Sequence, residues 1–493
     1  MPVTPTADSA TPAGQWPVIT NLQFNPGKKN MGGLLTALNA GKTSLITNQK
    51  SIEIVGNNIA NVNTDGYSRQ NAELSQIPAV NFNDFFIGQG VTVSNVQRDY
   101  DVFINRQLQE KNIDYGEELG KSNSLAELER VFNVSEENLA SDIDRFFDSW
   151  QQLSNNPGGL VERDMVIQRG QLLGDSFKNT YDEIDNIRGN INNSILSKID
   201  TINEQLNQIA ETNGRIYEVE VSGQTANAAR DQRDLLVQDL SQSLGVQTYT
   251  DSNGMLAVQL PGGLPLVTGT TAMQLEAVVN GDDVTLQVNI AGTTQDIHLD
   301  QMDGEMKGLF SMRDEFLAGL TDDLDQLATE LANNVNALHQ SGTGLDGSTG
   351  LDFFTDPATI PPGEHYSRNM NVVLTDSNQV AAGNSSLTGD NSNALAIAAL
   401  ERTGQAGLGG DTYDAFYSNM VSDVGIEASR NDLALNGAKD AVTQLQNLRD
   451  SYSGVNLDEE MIDLVQYQRG YESSAKFLAT VDELMDSLLQ LKR

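Results

Sequence analysis

Leu38, Leu45, Ile52 and Ile59 stand seven residues apart. An apolar residue every seven positions keeps one edge of an α-helix turned toward a partner. Leu34, Val55 and Val62 fill the alternate core position, with Gly41 and Asn48 as interruptions. Residues 34–62 therefore predict a helix carrying a coiled-coil seam of about four heptads. The far end of the chain repeats the pattern. Leu457, Met461, Leu464, Tyr471, Ala475 and Leu478 follow steps of three, four and seven, and Val481, Leu484, Leu488 and Leu491 extend the stripe. Two such ends can pair with each other in a coiled coil, or close one globular domain as a helical hairpin. Periodicity leaves both open.

Between the ends the period changes. Residues 67–100 read as an extended, irregular connector with Gly88 and Gly90. Helix is expected from about 101 to 244, broken by the Asn155-Asn156-Pro157-Gly158-Gly159 loop. Ile184, Ile191, Ile195, Ile202, Leu206, Ile209 and Ile216 mark a long amphipathic helix there. Residues 245–303 carry strand signals, including a hairpin of Ala272–Val279 with Val284–Ile290 around Asn280-Gly281-Asp282-Asp283. Helix resumes over 305–338. A stretch rich in Gly, Ser, Thr, Asp, Asn and Pro fills 341–392, and helices return from about 393. The first 30 residues, with five prolines, read as a disordered arm ahead of a start at Met31.

Composition excludes several function classes. The net charge is −38, opposite to the basic footprint of nucleic-acid or anionic-membrane binding. Residues 31–70 carry a net +1 and residues 451–493 a net −4, so residues 71–450 hold −36. Ends that are nearly neutral beside an acidic middle suit association through the ends. There is no cysteine, which removes disulfides, thiolate metal sites and cysteine nucleophiles. No apolar run spans a bilayer, and no basic segment followed by an apolar core opens the chain.

Nothing in the chain spells a catalytic centre. Hydrolase elbow, Walker loop, zinc-protease pair and EF-hand loop are all missing. Gly342, Gly344, Gly347 and Gly350 read as turns, and His339, at a predicted helix end, as a cap or dipole partner. No metal or cofactor is expected. Asn57, Asn58, Asn61 and Asn63 have two readings. They terminate the helix by competing for backbone hydrogen bonds, or their amides satisfy buried contacts where subunits meet.

The asparagines belong to a longer motif. Gly56-Asn57-Asn58-Ile59-Ala60-Asn61-Val62-Asn63-Thr64-Asp65-Gly66-Tyr67-Ser68-Arg69-Gln70 resembles the N-terminal signature of flagellar rod, hook and hook-associated proteins. Tyr67-Ser68-Arg69-Gln70 resembles its hook-associated protein 1 branch. Ala229-Arg230-Asp231-Gln232-Arg233-Asp234-Leu235-Leu236 is similar to a motif of that branch's helical body. Ser453-Gly454-Val455-Asn456-Leu457-Asp458-Glu459-Glu460, Tyr467-Gln468-Arg469-Gly470-Tyr471 and Thr480-Val481-Asp482-Glu483-Leu484-Met485 are similar to its C-terminal motif. The residues before Met31 depart from the family pattern.

The reading that results is a mainly α, elongated protein with a small inserted β domain. Its parts are a disordered extension (1–30), an inner coiled-coil domain of paired terminal helices (31–66 with 453–493), a helical-bundle middle (67–244, 304–340 and 393–452) and an outer β domain (245–303, with 341–392 contributing). The resemblance implies a structural role without enzymatic activity at the junction between flagellar hook and filament. It implies self-association in a ring and contacts with hook protein and with a second junction protein. An export chaperone on the C-terminal helix, and export through the flagellum's own type III route to the cell exterior, are further expectations. The assembly interface is assigned to Leu38, Leu45, Ile52, Val55, Asn58, Ile59 and Asn61 at one end, and to Leu464, Tyr471, Leu478, Leu484 and Leu488 at the other. Gly66, Tyr67, Ser68, Arg69, Asn456, Leu457, Asp458 and Glu459 are its motif positions. A bulk hook or distal-rod subunit is the nearest alternative, and a flagellum-borne hydrolase a more distant one.

Overall fold

The structure is a computed structural model that describes residues 29–82, 85–132, 138–252, 254–281, 283–385 and 387–490. In chain order it runs α1 (Lys29–Ala60), β1 (Gln70–Gln76), β2 (Val80–Phe82), β3 (Phe85–Ile87), β4 (Val91–Arg98), α2 (Val102–Val131), α3 (Leu139–Asn155), α4 (Leu160–Val221) and α5 (Asn227–Leu244). Strands β5 (Gln247–Thr250), β6 (Leu256–Gln259), β7 (Pro265–Thr268), β8 (Thr271–Ala272), β9 (Leu275–Asn280), β10 (Asp283–Ile290) and β11 (Thr293–Ile297) follow. Then come α6 (Gly304–Ser311), a π turn at Met312–Phe316, α7 (Leu317–Ser341), α8 (Tyr366–Asn369), α9 (Ser392–Ala399), α10 (Tyr413–Ser453) and α11 (Leu457–Gln490). The expected arm over 1–30 falls, up to residue 28, outside the described residues. The described residues fall into two compact units, one of residues 29–63, 70–97 and 455–490 and one of residues 64–69 with 98–454.

In the first unit α1 and α11 pack antiparallel. Gly41 faces Leu478 and Phe477, Ser44 Oγ lies 2.8 Å from Ser474 Oγ, and Asn58 Nδ2 donates to Glu460 Oε2 at 3.0 Å. The terminal helices are paired, but not along the edge the heptads marked. Gly41, Ser44, Asn48, Val55 and Asn58 point to α11 at three–four spacing, with Ser51 buried among them. Leu38, Leu45, Ile52 and Ile59 flank that seam half-buried. Gly41 and Asn48, read as interruptions, lie on it because a glycine stands at each crossing, Gly41 against Leu478 and Phe477 and Gly470 against the Asn48 side chain, and lets the two helices approach.

Residues 67–100 were expected to be irregular; most of them form strands. β1 pairs with β4, and β2 pairs antiparallel with β3. Asn58 clamps the start of β1, its Oδ1 accepting from Gln70 N at 3.0 Å and its Nδ2 donating to Gln70 O at 2.9 Å. Thr43 Oγ1 donates to Gln89 O at 3.1 Å and Thr47 Oγ1 to Val91 O at 3.0 Å. The ribbon therefore runs along α1, on the side next to the α11 seam. A seven-residue strand at about 3.3 Å per residue matches the helical rise between those clamps. Hydrogen bonds made by helix side chains thus place residues 70–97 with the terminal helices, not with the helical middle.

In the second unit α4, 62 residues long and hence about 93 Å at 1.5 Å per residue, is the spine. Ile184, Ile191, Ile195, Ile202, Leu206, Ile209 and Ile216 are all buried along it, as the spacing predicted. The aromatic core gathers Phe146, Trp150, Phe353 and Phe354. Residues 341–392, expected to contribute to the β domain, instead pack on α3, α4, α7 and α9. Asn336 of α7 holds the backbone of Phe353 and Phe354, and Phe353 fills the core with no exposed surface. The β insert is a four-stranded sheet, β5-β6-β7-β8, and a three-stranded sheet, β11-β10-β9. The expected hairpin is β9–β10, with Asn280 opposite Asp283. Asn203 and Asn213 of α4 bracket the backbone at Leu275 and at Leu256, and Arg313, from the π turn, bonds Asn192 and Val284 O.

Candidate assembly surface and the motif positions

The α1–α11 seam consumes little of the apolar surface on α11. Glu460, Gly470, Ser474, Leu478 and Val481 face inward by spacing, and Glu460, Ser474 and Val481 are buried. Beside them Leu457, Met461, Val465, Tyr471 and Leu484 stay exposed, with Ile462 67% and Leu484 51% accessible. On α1 Leu35 and Ile46 are exposed as well. Single exposed leucines are ordinary, but this many exposed large apolar side chains on one helix, spread around it outside the α1 seam, leave surface for other subunits to cover. Among the predicted interface residues, Tyr471 and Leu484 are exposed, on different sides of α11. Leu38, Leu45, Ile52, Ile59, Asn61, Leu464, Leu478 and Leu488 are half-buried, and Val55 and Asn58 are buried inside the unit.

The motif positions hold backbone in place. Asn456 caps α11, its Oδ1 accepting from Asp458 N at 3.0 Å; Leu457, Asp458 and Glu459 sit exposed in the first turn, where acids suit the helix dipole. Gly66 has φ +76, a conformation other residues rarely adopt. Within the second unit Ser68 N donates to Asp231 Oδ2 at 3.1 Å, Arg69 N donates to Ser453 O at 2.8 Å, and Asp99 N donates to Arg69 O at 2.8 Å. Tyr67 N donates to Thr64 O at 3.2 Å.

The central motif supplies the anchor for these turns. Asp231 and Asp234 receive Arg98 through Nη1 and Nη2, each at 2.7 Å, and the Arg98 guanidinium stacks on Tyr100. Burial pulls Arg98 down, but Asp234 and Asp231 more than reverse it and hold the guanidinium charged. Burial, with Asp234 beside it, pushes the Tyr100 hydroxyl up to about 12. Arg230 pairs with Glu220, and Arg233 donates to Asn213 Oδ1 at 3.1 Å. Sequence reading found this motif but not its partner Arg98, which nothing in the sequence ties to Asp231 and Asp234.

Three family models match in order along the chain. Residues 38–67 match the flagella basal body rod protein model, residues 125–354 the flagellar hook-associated protein FlgK helical domain, and residues 449–491 the flagellar basal body rod FlgEFG protein C-terminal model. Flagellar hook-associated protein 1 of Escherichia coli is 26% identical over 92% of this chain and 99% of its own length. Along almost its whole length the chain is similar to flagellar hook-associated protein 1. Its relative in Bacillus subtilis is 26% identical over 93% of this chain and 98% of its own, and that of Salmonella typhimurium 27% over 92% and 99%. The flagellar hook junction protein FlgK of Burkholderia pseudomallei shares the fold, with a TM-score of 0.63 over 70% of this chain and all of that one, at 17% identity. The helical-domain model covers α3 to α7 with the β insert between them, so hook-associated protein 1 character extends through the body as well as the ends. The chain is a structural protein of the bacterial flagellum.

Proposed function

We propose that this chain is the adaptor between hook and filament, and that its terminal unit assembles it into a ring. The observation that carries the reading is the division of labour on α11: a narrow, largely small and polar seam holds α1, while Leu457, Met461, Val465, Tyr471 and Leu484 remain for other subunits. Each buried aliphatic side chain stabilises by about 1.5–3 kcal/mol before ordering entropy is deducted, so neighbouring copies complete what the single chain leaves open. One rim of the ring meets hook protein and the other a second junction protein. Before assembly an export chaperone covers the exposed apolar residues of α11, and the chain leaves the cell through the type III route. The role is structural and not catalytic.

The test is electron microscopy of a strain lacking the gene, with flagellin assayed in the medium. Hooks without filaments, together with secreted flagellin monomer, are expected. Missing hooks would move the chain down to hook or rod, and normal filaments would overturn the reading. In complementation, Leu484→Asp is expected to block incorporation while the purified chain keeps its helical body folded.

A further inference from the structure

The first four turns of α4 carry a second apolar stripe, in the unit that lacks the terminal helices. Val161, Met165 and Leu172 fall on one helical face by their spacing of four and seven. Val161 is 73% and Leu172 50% accessible, and Leu160 is exposed beside them. Arg169 borders the stripe, one turn from both Met165 and Leu172, and makes no ion pair among the described residues. The stripe thus offers exposed aliphatic surface with a guanidinium beside it, in a chain whose net charge is −38. A carboxylate-rich patch on another copy attracts this guanidinium locally, against the net repulsion between copies.

The same unit holds a matching surface. Asp144 and Asp148 of α3, Asp414 at the start of α10, and Glu401 form a group of like charges. Asp144, Asp148 and Asp414 are exposed. Glu401 has the exposed Arg402 at 3.7 Å, and Arg145 is engaged with Asp142, so the repulsion is only partly relieved. Burial first, then the neighbouring carboxylates, hold Asp144 and Glu401 above the usual carboxylate range.

We propose that the Val161–Met165–Leu172 stripe with Arg169 docks on the Asp144–Asp148–Glu401–Asp414 surface of a second copy. Both surfaces belong to one chain but are different patches, so the contact is heterologous and repeats from copy to copy, which is what a ring requires. The proposal rests on the ring reading and adds a contact made by the helical body to those made by the terminal unit.

The chain has no cysteine, which makes site-specific crosslinking clean. Met165→Cys and Asp148→Cys chains, both at exposed positions, are co-expressed in a strain lacking the gene, and isolated flagella are oxidised with copper phenanthroline. A disulfide-linked dimer is expected only when both variants are present. Flagella with normal filaments and no mixed dimer would overturn this contact while leaving the junction reading intact. Dimers from Met165→Cys alone would make the contact isologous and also overturn it. Absence of the chain from flagella would remove the junction reading and this contact with it. As a second measure, Arg169→Glu is expected to lower the mixed-dimer yield at least several-fold, and Asp148→Arg in the partner copy, with the crosslink moved to Asp144→Cys, to restore it.

Discussion

Asn58 shows how much a single amide can decide. Its side chain bonds both backbone groups of Gln70 and the Glu460 carboxylate, so it joins the end of α1, the start of β1 and the start of α11. Asn58→Leu removes all three bonds at a buried site. Each lost bond to a buried polar group costs about 1–3 kcal/mol. The terminal unit is expected to exchange its amide hydrogens much faster in the variant, with the helical body unchanged, by hydrogen-exchange mass spectrometry. His339 offers a different test. Its Nδ1 lies 2.6 Å from Leu351 O, and its Nε2 accepts from Ala381 N at 3.0 Å. Only the neutral ring can serve both, and burial holds its pKa below the ordinary value. A depressed histidine pKa means the unfolded chain takes up the proton first. Its stabilisation is full above about pH 6.5, the unfolded value, and declines as pH falls toward the folded value. Urea midpoints measured from pH 7.5 to 5 should fall more steeply for the native chain than for His339→Gln. Equal slopes would rule out a contribution from this ring.

At the scale of elements, helix packing depends on where side chains are missing. Gly120 of α2 and Gly308 of α6 lie back to back: a Cβ on Gly120 would meet Glu305 O, and one on Gly308 would meet Glu117 O. Backbone cannot yield as a flexible side chain does. Gly120→Val should therefore separate α2 from α6 at a cost of about 1–3 kcal/mol or more, read as a lower thermal midpoint of the helical body. The α1–α11 seam is more forgiving. At Gly41 a Cβ would meet Leu478 Cδ2 at 2.8 Å and Phe477 Cδ1 at 2.9 Å, both outer atoms of side chains that can turn aside. Gly41→Ala is expected to leave the pair formed, with a midpoint change below that of Gly120→Val.

For the whole molecule the dominant quantity is charge. Copies that each carry −38 repel one another over distances that salt shortens, the screening length falling from about 30 Å at 0.01 M to about 8 Å at 0.15 M. Association driven by apolar surface against that repulsion strengthens with salt. Sedimentation velocity of the purified chain should show more self-association at 0.5 M than at 0.05 M sodium chloride, and Leu484→Asp should flatten the trend. The opposite dependence would mean that ion pairs dominate the contacts between copies, at the expense of the apolar stripe.

What the sequence determined by itself was whatever depends on period and composition. Seven-residue spacing at both ends, the isoleucine ladder of α4, the turn at Asn280-Gly281 and the missing cysteines needed no partner to be read, because each expresses a local preference or a covalent fact. The family was legible too, since its motifs are short and nearly contiguous. Tertiary structure decided which edge of each helix faces which neighbour. Gly41, Ser44 and Asn48 became the seam because backbone approach and side-chain hydrogen bonds outweigh the half-buried leucines that flank it. β1 and β4 run along α1 because Asn58, Thr43 and Thr47 bond the backbone at Gln70, Gln89 and Val91, and Phe353 left the expected β domain because Asn336 turns its chain into the aromatic core. Arg98 meets Asp231 and Asp234 across 133 and 136 residues. Pairings of that range leave no periodic trace in the sequence, and only the folded chain brings them together.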